Sequence, residues 1–437
     1  MTTLTFPLSR IEGHARVVVD TEGGEVFSAQ FQAMELRGFR YFVIGTPAEQ
    51  MPVIVPRICG VCSTAHHVAA VKALENMYGV TPTPLADVVR EVLLLGQLIQ
   101  NQATSLFLFT MPDRVGASSL FHMTEDEASK QEQFSIAQRA LKVRKIGTDL
   151  ITLAGGQFIH PINTVIGGVT SGIDHEKAEK MVAMLDVMIP MACELVESYH
   201  QMSMALYDRI GTWGDDEPTH YLTSTEARGL TLNSKRLRVM GTDGTEVDCF
   251  DPSEYESHLE MKESRYSYAG ESTYQGHLLR ANSLARVNMT EGLGTPMADR
   301  YLARFREDFG RPAHAILYFD LCRGIELVYA MERARELVSE PLDCCEPKVG
   351  YTPRDGVGYG LVEAPRGPLI HRYVVENGLV KEAAFVIPTA HNMGAIRRAL
   401  MVVSKRYITP ERINLELEKA VGRVVRAFDP CIACATQ

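Results

Sequence analysis

The chain ends in DPCIACATQ (residues 429–437), which places two cysteines, Cys431 and Cys434, within a few residues of the C-terminus. The other C-x-x-C pair, Cys59 and Cys62, lies near the opposite end in the segment PRICGVCSTAHH. Two such pairs supply four thiolates, which is one complete site for a soft metal ion. The spacing of these pairs is therefore the first feature to interpret.

Several explanations of the two pairs compete. A structural zinc site usually places its second pair about 15 to 20 residues after the first, whereas nearly the whole chain separates these two. A thioredoxin-like redox site needs one pair in a βαβ context, which neither pair has. An iron–sulfur cluster is chemically reasonable, although its motifs usually bunch three of the four cysteines. The last alternative is chance occurrence among buried thiols, as expected for the other five cysteines: Cys193, Cys249, Cys322, Cys344 and Cys345.

The composition indicates a globular protein. The 437 residues are 46% hydrophobic and carry a net charge of -10, which disfavours nucleic acid or an anionic membrane surface as a partner. The N-terminus lacks the pattern of a secretory signal, and no stretch approaches eighteen uninterrupted apolar residues. We expect no direct membrane insertion, and nine cysteines without a signal favour free thiols or metal ligands over disulfides.

Hydrophobic periodicity predicts an α+β fold that is predominantly α. Residues 16–32 alternate around a Gly-Gly turn and are typical of a hairpin. Small sheets and hairpins are expected at the periphery, and a last helix near residues 410–427 leads into the terminal cysteines. Apolar residues recur at helical spacing in long stretches, which favours a central helix bundle; these stretches are 84–109, about 125–154, 174–207 and 297–337.

The stretch from about residue 219 to 283 changes character. LRVMGTDGTEVDCF suggests a hairpin, and ESRYSYAGESTYQG is typical of an irregular, tyrosine-rich surface. The chain contains no repeat, low-complexity segment or obvious linker. We therefore predict a single domain of residues 1–437 with a peripheral insertion at about 219–283.

Four motifs, two of which contain the C-x-x-C pairs, indicate a protein family. SRIEGHARV, RICGVCSTAH, EAPRG and DPCIACA, in that order, resemble the large subunit of the nickel–iron hydrogenases from the first dozen residues to the last ten. The resemblance implies the hydrogenase large-subunit fold. It also implies the catalytic subunit of a [NiFe] hydrogenase, which reversibly cleaves H2 heterolytically into protons and electrons.

The resemblance further implies a nickel–iron centre. All four cysteines would bind nickel, and Cys62 and Cys434 would also bridge to an iron that carries carbon monoxide and cyanide ligands. Thiolates suit this role because nickel that changes oxidation state needs polarisable, electron-rich donors. Ligands at the chain terminus can stay open during metal insertion and then fold in to close the site.

Three residues receive roles around the centre by the same resemblance. Glu12, in RIEGH, is the expected proton gate, because a carboxylate can accept and donate protons near neutral pH when burial raises its pKa. Arg366 is expected over the open metal position, where its planar cation can hydrogen-bond a cyanide. Thr389, in IPTAHN, occupies the position that donates to the other cyanide.

Three more residues complete the expected surroundings. His66 matches the histidine that hydrogen-bonds a bridging cysteine, and Asp429 matches an acid close to Arg366. Asp113, in FTMPD, is the candidate for a second acid beside that arginine. His67 is interpreted as structural.

Two positions depart from the family pattern. Many relatives have glutamate in place of Arg40 and a final histidine in place of Gln437, and in those relatives both residues contact a magnesium or similar ion. Such a site is doubtful here. We expect the Arg40 guanidinium to replace the cation and to pair with the terminal carboxylate. The ending at Gln437 favours a gene that never encoded a cleaved tail.

Electrons must leave the centre through a partner, because the remaining cysteines show no cluster spacing. The resemblance implies an iron–sulfur small subunit, further flavin or electron-transfer subunits, and the cytoplasmic branch of the family. Two alternatives remain: a regulatory H2-sensing subunit, and a non-catalytic structural subunit that has lost its metal. The four intact cysteines argue against the second.

Overall fold

The computed structural model describes residues 1–122, 126–210, 218–342, 346–409, 412–413 and 416–437. The helices are α1 (Phe39–Phe42), α2 (Met51–Ile54), α3 (Ser63–Tyr78), α4 (Pro84–Ala103), α5 (Met111–Val115), α6 (Glu127–Gly155), α7 (His175–Ile210), α8 (Tyr255–His258), α9 (Ser283–Met289), α10 (Pro296–Phe309), α11 (Tyr318–Val338), α12 (Pro388–Tyr407), α13 (Leu417–Phe428) and α14 (Ile432–Ala435). The strands are β1 (Thr2–Pro7), β2 (Ala15–Glu22), β3 (Glu25–Ala33), β4 (Thr164–Val165), β5 (Gly168–Val169), β6 (His220–Thr223), β7 (Leu237–Met240), β8 (Glu246–Phe250), β9 (Leu259–Lys262), β10 (Glu271–Tyr274), β11 (His277–Arg280), β12 (Gly356–Ala364), β13 (Gly367–Glu376), β14 (Leu379–Val386), β15 (Ile408–Thr409) and β16 (Arg412–Ile413).

Long helices pack against one another at the centre of this mixed α+β structure. Helix α4 contacts α6 and α11, and α7 contacts both of those neighbours. The predicted helical stretches correspond to α4, α6, α7, α10 and α11, and the predicted N-terminal hairpin is β2 and β3. The helical run Pro84–Val115 is apolar and long enough to cross a membrane, but 83% of its most apolar window is buried inside the fold. That burial is the environment of a core helix.

A π-helical segment, Thr104–Thr110, joins α4 to α5. In a regular α-helix, residues 101 and 113 would be about a third of a turn out of phase. Asn101 nevertheless contacts Asp429, and Asp113 contacts Arg426 on the same C-terminal segment. The π-helical turns contain more residues per turn, which brings the two side chains to the same side of the helix. Such turns are frequent at functional sites.

Residues 220–280 form a six-stranded sheet with the order β8-β7-β6-β11-β10-β9. The predicted β7–β8 hairpin is confirmed. The prediction of an irregular surface at ESRYSYAGESTYQG is wrong at its end, because Glu271–Tyr274 is strand β10, paired with β9. The residues of β10 are polar, so the sequence pattern did not indicate a strand, although most of its side chains are buried. That this region is an insertion within a single domain stays a prediction.

A three-stranded sheet, β12-β13-β14, packs against helix α3. Its second turn is at Asn377-Gly378, and its first turn carries Arg366 between β12 and β13. Gly358 and Gly360 allow the close approach to α3, since an added Cβ would lie 2.1 Å from the Ala73 carbonyl oxygen and 2.0 Å from that of Ala69, respectively. The sheet is thereby held directly against the helix that follows Cys62.

Replacing Gly360 by alanine is expected to destabilise the protein by about 1–3 kcal/mol, because the new methyl group would press on helix backbone that cannot yield. The measurement is the midpoint of thermal unfolding, followed by circular dichroism. Gly350→Ala is the matched control, because Gly350 has open space around its Cβ position and a negative φ. Equal midpoints for the two variants would contradict the tight contact.

The last long helix begins later than predicted. Residues Ile408–Thr409 pair with Arg412–Ile413 as a short hairpin, and α13 starts at Leu417. Pro410, the predicted first residue of the helix, lies outside the described residues. Helix α13 ends directly before Asp429, so the terminal cysteines follow a rigid element, as expected.

Candidate metal centre

The four cysteines of the two C-x-x-C pairs meet in the interior. Their Sγ atoms all lie within 4.8 Å of one another, and all four residues are buried. The Sγ atom of Cys431 is 3.4 Å from that of Cys59 and 3.8 Å from that of Cys62. Both ends of the chain therefore supply ligand atoms to one site.

Neighbouring elements position each thiol. Cys59 follows the 3₁₀ turn Val55–Ile58, and Cys62 immediately precedes α3. Cys431 pairs with Glu12 through an isolated β-bridge, and its backbone N–H donates to the Thr389 hydroxyl at 3.0 Å. The C-terminal pair is thus held by the N-terminal segment on one side and by α12 on the other.

The entry into the C-terminal pair depends on two unusual backbone conformations. Asp429 has φ 49°, which turns the chain sharply after α13 and is a conformation that aspartate tolerates better than most residues. Gly13 has φ 79°, and an added Cβ there would lie 2.6 Å from the Cβ of Ile432. Only glycine therefore allows the RIEGH segment to lie against the cysteine loop.

The residues fit a soft metal centre. Four buried sulfur atoms in contact are the donor set that nickel or iron prefers. A small cavity borders Cys62, Cys431 and Cys434. Its polar lining is His66, Arg366 and Thr389, and four apolar residues form the rest: Ala364, Leu369, Ile387 and Pro388.

The electrostatics of the site call for a cation. Burial raises the pKa of Cys431 and of Cys434. Hydrogen bonds with Cys431 and Cys434, together with the nearby Arg366, lower the pKa of Cys62. One guanidinium cannot balance four buried thiolates, so full deprotonation requires metal binding.

Glu12 lies against the cysteine cluster. One carboxylate oxygen accepts a hydrogen bond from the Ala433 backbone N–H at 3.0 Å, and the other is 3.8 Å from the Cys59 Sγ atom. Burial raises the pKa of Glu12, and the neighbouring Cys59 raises it further. The carboxyl group is therefore within reach of a proton on Cys59.

The Arg366 guanidinium contacts both Cys62 and Asp429. The contact with Asp429 was predicted from the sequence. Arg366 Nη1 donates to the Cys62 Sγ atom at 3.3 Å, while Nη2 donates to Asp429 Oδ1 at 3.0 Å and Nε to the Asp429 carbonyl oxygen at 2.6 Å. Asn101, which sequence reasoning missed, donates to the other carboxylate oxygen at 3.1 Å. Its signal was a polar Asn-Gln pair within the apolar helix α4.

Asp113 does not lie beside Arg366. Its carboxylate accepts from Arg10 at 2.5 Å and from Arg426 at 2.7 and 3.0 Å. The expected second acid is therefore part of an ion-pair group one turn before Asp429.

His66 begins a buried chain of hydrogen bonds. Its Nε2 is 3.4 Å from the Cys434 Sγ atom and its Nδ1 is 2.9 Å from His371 Nε2, whose Nδ1 is 2.7 Å from the Tyr373 hydroxyl. Burial lowers the pKa of His66 to about 4, so the ring is neutral. If the Tyr373 hydroxyl donates to His371 Nδ1, then His371 Nε2–H donates to His66 Nδ1. His66 Nε2–H in turn donates to the Cys434 Sγ atom. Sequence reasoning missed His371 and Tyr373.

The predicted pairing of Arg40 with the C-terminus is wrong. Arg40 is on the surface in α1, where it pairs with Glu263 at 3.6 Å and lies over the Tyr41 ring. The Gln437 side-chain amide donates instead to the Ala433 carbonyl oxygen. The LRGFR segment contacts the terminus through its backbone, because Arg37 N–H donates to the Thr436 carbonyl oxygen at 2.8 Å.

Comparisons with known proteins show which proteins the whole chain is similar to. The family profile described as nickel-dependent hydrogenase matches residues 37–139 and 239–437, and a profile described as HoxL-like matches residues 5–36. A chain of the vhu F420-non-reducing hydrogenase of Methanocaldococcus jannaschii is 34% identical over 90% of this chain and 96% of its own. The beta chain of the NAD-reducing hydrogenase HoxS of Cupriavidus necator is 30% identical over 98% and 93%. An NAD+-reducing [NiFe]-hydrogenase crystallised in the H2-reduced state superposes with a TM-score of 0.92 at 26% identity, covering all of both chains.

Proposed function

The chain belongs to the nickel-dependent hydrogenase family, and we therefore propose that it is the catalytic subunit of a [NiFe] hydrogenase that reversibly cleaves H2 into protons and electrons. The observation that carries the proposal is the set of four buried thiols, brought together from both chain ends within 4.8 Å. Such a set suits a redox metal that needs electron-rich donors.

The four thiols define how the centre would be held. Cys59, Cys62, Cys431 and Cys434 would hold nickel, and Cys62 and Cys434 would also hold iron. The small cavity beside these cysteines would leave room for carbon monoxide and cyanide on that iron. When bound, the centre supplies heterolytic cleavage of H2.

Glu12 has the proposed role of the proton gate. Its carboxylate takes the proton from Cys59, the thiol that lies 3.8 Å away. The hydrogen bond from the Ala433 backbone fixes the other oxygen and so orients the group toward the thiol.

The polar residues around the cavity have orienting roles. Arg366 presents its guanidinium to Cys62 and to the cavity, while Asp429 holds it in place. The Thr389 hydroxyl accepts from the Cys431 backbone and keeps its own proton free to donate into the cavity. His66 stabilises negative charge on Cys434.

An iron–sulfur partner subunit would receive the electrons. Within the described residues, the four thiols of the centre form the one group of ligand side chains able to hold a metal. Exposed Val53, Ile162, Val349 and Tyr351 line a surface cavity of about 540 Å³. Helix α2, which carries Val53, leads through the 3₁₀ turn directly to Cys59. Because exposed apolar patches mark docking sites, we assign the partner to this face.

Glutamate at Val53 or at Ile162 is expected to weaken binding of the iron–sulfur subunit by about tenfold or more, because a charge would be buried in the interface. Co-purification and titration of the two subunits measure this effect. Val187→Glu on α7 is the control, since Val187 is as exposed, at 61%, but lies outside the cavity lining. Equal partner affinity in all three variants would rule out this face.

The names of similar proteins support a proposal for the electron acceptor and the location. The names of the similar proteins specify an F420-non-reducing and an NAD-reducing hydrogenase. We propose a cytoplasmic enzyme with further electron-transfer subunits that deliver electrons to such a soluble acceptor. A regulatory H2 sensor would have the same four thiols but slow turnover, so the turnover rate of the assembled complex separates the two functions.

The infrared spectrum of the anaerobically purified complex tests the proposal, together with nickel and iron counts on the same sample. Carbonyl and cyanide bands with equal amounts of the two metals at this site are expected. If the bands are absent and zinc is bound to the thiols of correctly assembled protein, the chain shares only the fold of the hydrogenases, and the proposal of catalysis is excluded.

A further inference from the structure

Arg286, in α9, lies at the centre of a fully buried polar cluster. Its guanidinium donates to both oxygens of Glu326 at 2.6 and 2.7 Å and to Glu363 Oε1 at 2.8 Å. The exposed fraction of all three side chains is zero. Ser224 donates twice to the other Glu363 oxygen, from its backbone and its hydroxyl, both at 2.7 Å. Few groups in the chain are so completely removed from water and so completely hydrogen-bonded.

The same guanidinium holds the turn that carries Arg366. Nη1 donates to the Ala364 carbonyl oxygen at 3.2 Å, and Nη2 donates to the Pro365 carbonyl oxygen at 2.8 Å. These are the last two residues before Arg366 in the turn from β12 to β13. A rigid, planar fork with five donors can make these contacts and the carboxylate contacts at once, which an ammonium group cannot.

A second arm of the cluster reaches Asp429, the residue that orients Arg366. Gln102 donates to Glu326, and its side-chain oxygen accepts from Asn101 at 3.3 Å. Asn101 also donates to Asp429 Oδ2 at 3.1 Å. Arg366 is therefore fixed from two sides, through its backbone turn and through the carboxylate that receives its guanidinium.

We propose that Arg286 is a positioning residue for Arg366 and that the closed ring of hydrogen bonds through Glu326, Gln102, Asn101 and Asp429 sets the placement of the Arg366 guanidinium at the metal centre. This inference rests on the proposed function. It adds a residue that neither contacts the thiols nor lines the cavity itself, yet controls Arg366, which does both.

A buried arginine elsewhere provides the matched control. Arg90 makes two hydrogen bonds to Glu75, at 2.9 and 2.7 Å, and donates to the carbonyl oxygens of Val165 and Gly168. It has the same chemistry and burial as Arg286. Glu75 lies in the last turn of α3, so it is about 20 Å along that helix from Cys62. A purely structural effect of losing a buried arginine should appear equally in Arg90→Lys and Arg286→Lys.

The test is a double-mutant cycle between Arg286→Lys and Arg366→Lys, measured as H2 oxidation by the assembled complex. Alone, Arg286→Lys is expected to lower kcat by about 10- to 100-fold with unchanged nickel and iron content, because small misplacements of an orienting group have effects of that size. In the Arg366→Lys background its further effect should be less than about twofold. Arg90→Lys should leave kcat unchanged in both backgrounds.

Infrared spectra supply a readout apart from activity. The cyanide bands of the Arg286→Lys protein should shift toward those of Arg366→Lys, and those of Arg90→Lys should coincide with the parent protein. If Arg286→Lys does not fold, Gln102→Met serves in the same cycle, because it cuts the arm to Asn101 without removing a charge.

The outcomes separate the two proposals. A parent protein without bands or turnover would overturn the proposed function and this inference with it. An active parent in which the Arg286 and Arg366 effects multiply independently, or in which the cyanide bands do not move, would overturn only the role of Arg286.

Discussion

Replacing Cys434 by serine should abolish H2 turnover, with a loss of at least about 10³-fold, because the metal centre supplies most of the rate enhancement. A serine hydroxyl is a hard, weakly acidic ligand, and it would replace the sulfur that lies 3.4 Å from the ring of His66. Nickel and iron should both be lost, since this cysteine is proposed to hold the two metals together. Metal analysis and the infrared bands of the purified protein measure this outcome directly.

Cys193→Ser is the appropriate comparison. Cys193 is a half-buried free thiol on α7, outside the cluster of four. It should retain both metals and parent activity. Full metal occupancy in the Cys434→Ser protein would show that Cys434 is not needed to hold the centre and would contradict the proposed assignment of this cysteine to both metals.

Replacing Glu12 by glutamine should separate proton transfer from metal binding. The amide can still accept from the Ala433 backbone N–H, so the loop around the cysteines should keep its shape. It cannot take up a proton from Cys59, and a general acid–base group typically contributes about 10²- to 10⁴-fold. We expect a loss of that size in H2 oxidation and in exchange between D2 and water, with nickel, iron and the infrared bands retained.

Glu35→Gln controls for the loss of a carboxylate in the same N-terminal region. Glu35 is on the surface, where it pairs with His14 at 2.6 Å, and its replacement should leave exchange unaltered. Parent-like exchange in the Glu12→Gln protein would refute the proton gate while leaving the metal assignment intact.

Much of the candidate centre was predictable because its residues lie in short, contiguous motifs. The two cysteine pairs, Glu12, and the contact of Arg366 with Asp429 are found where the motifs led us to expect them. In each case the chemistry of the residue and its neighbours in sequence were enough to suggest a role. The catalytic roles themselves remain proposals.

The residues that were missed depend on packing between distant elements. His371 meets His66 across 305 positions, and Gln102 meets Glu326 across 224. No periodicity in either segment marks these contacts. Asp113 was assigned to the wrong neighbour because its short motif gave no sign of Arg10 and Arg426, the two distant arginines that its carboxylate contacts. Arg40 was misassigned because the backbone of its loop, rather than its side chain, contacts the chain terminus.

The meeting of the chain ends has a thermodynamic consequence for the whole protein. A metal bound by Cys59 and Cys431 closes a loop of 372 residues, so it acts as a reversible cross-link over most of the sequence. In the chain-entropy treatment of cross-links, a closure of that length removes about 6 kcal/mol of unfolded-state entropy. The metal centre would thus stabilise the fold in addition to its catalytic role. Its loss would destabilise the N-terminal and C-terminal segments together.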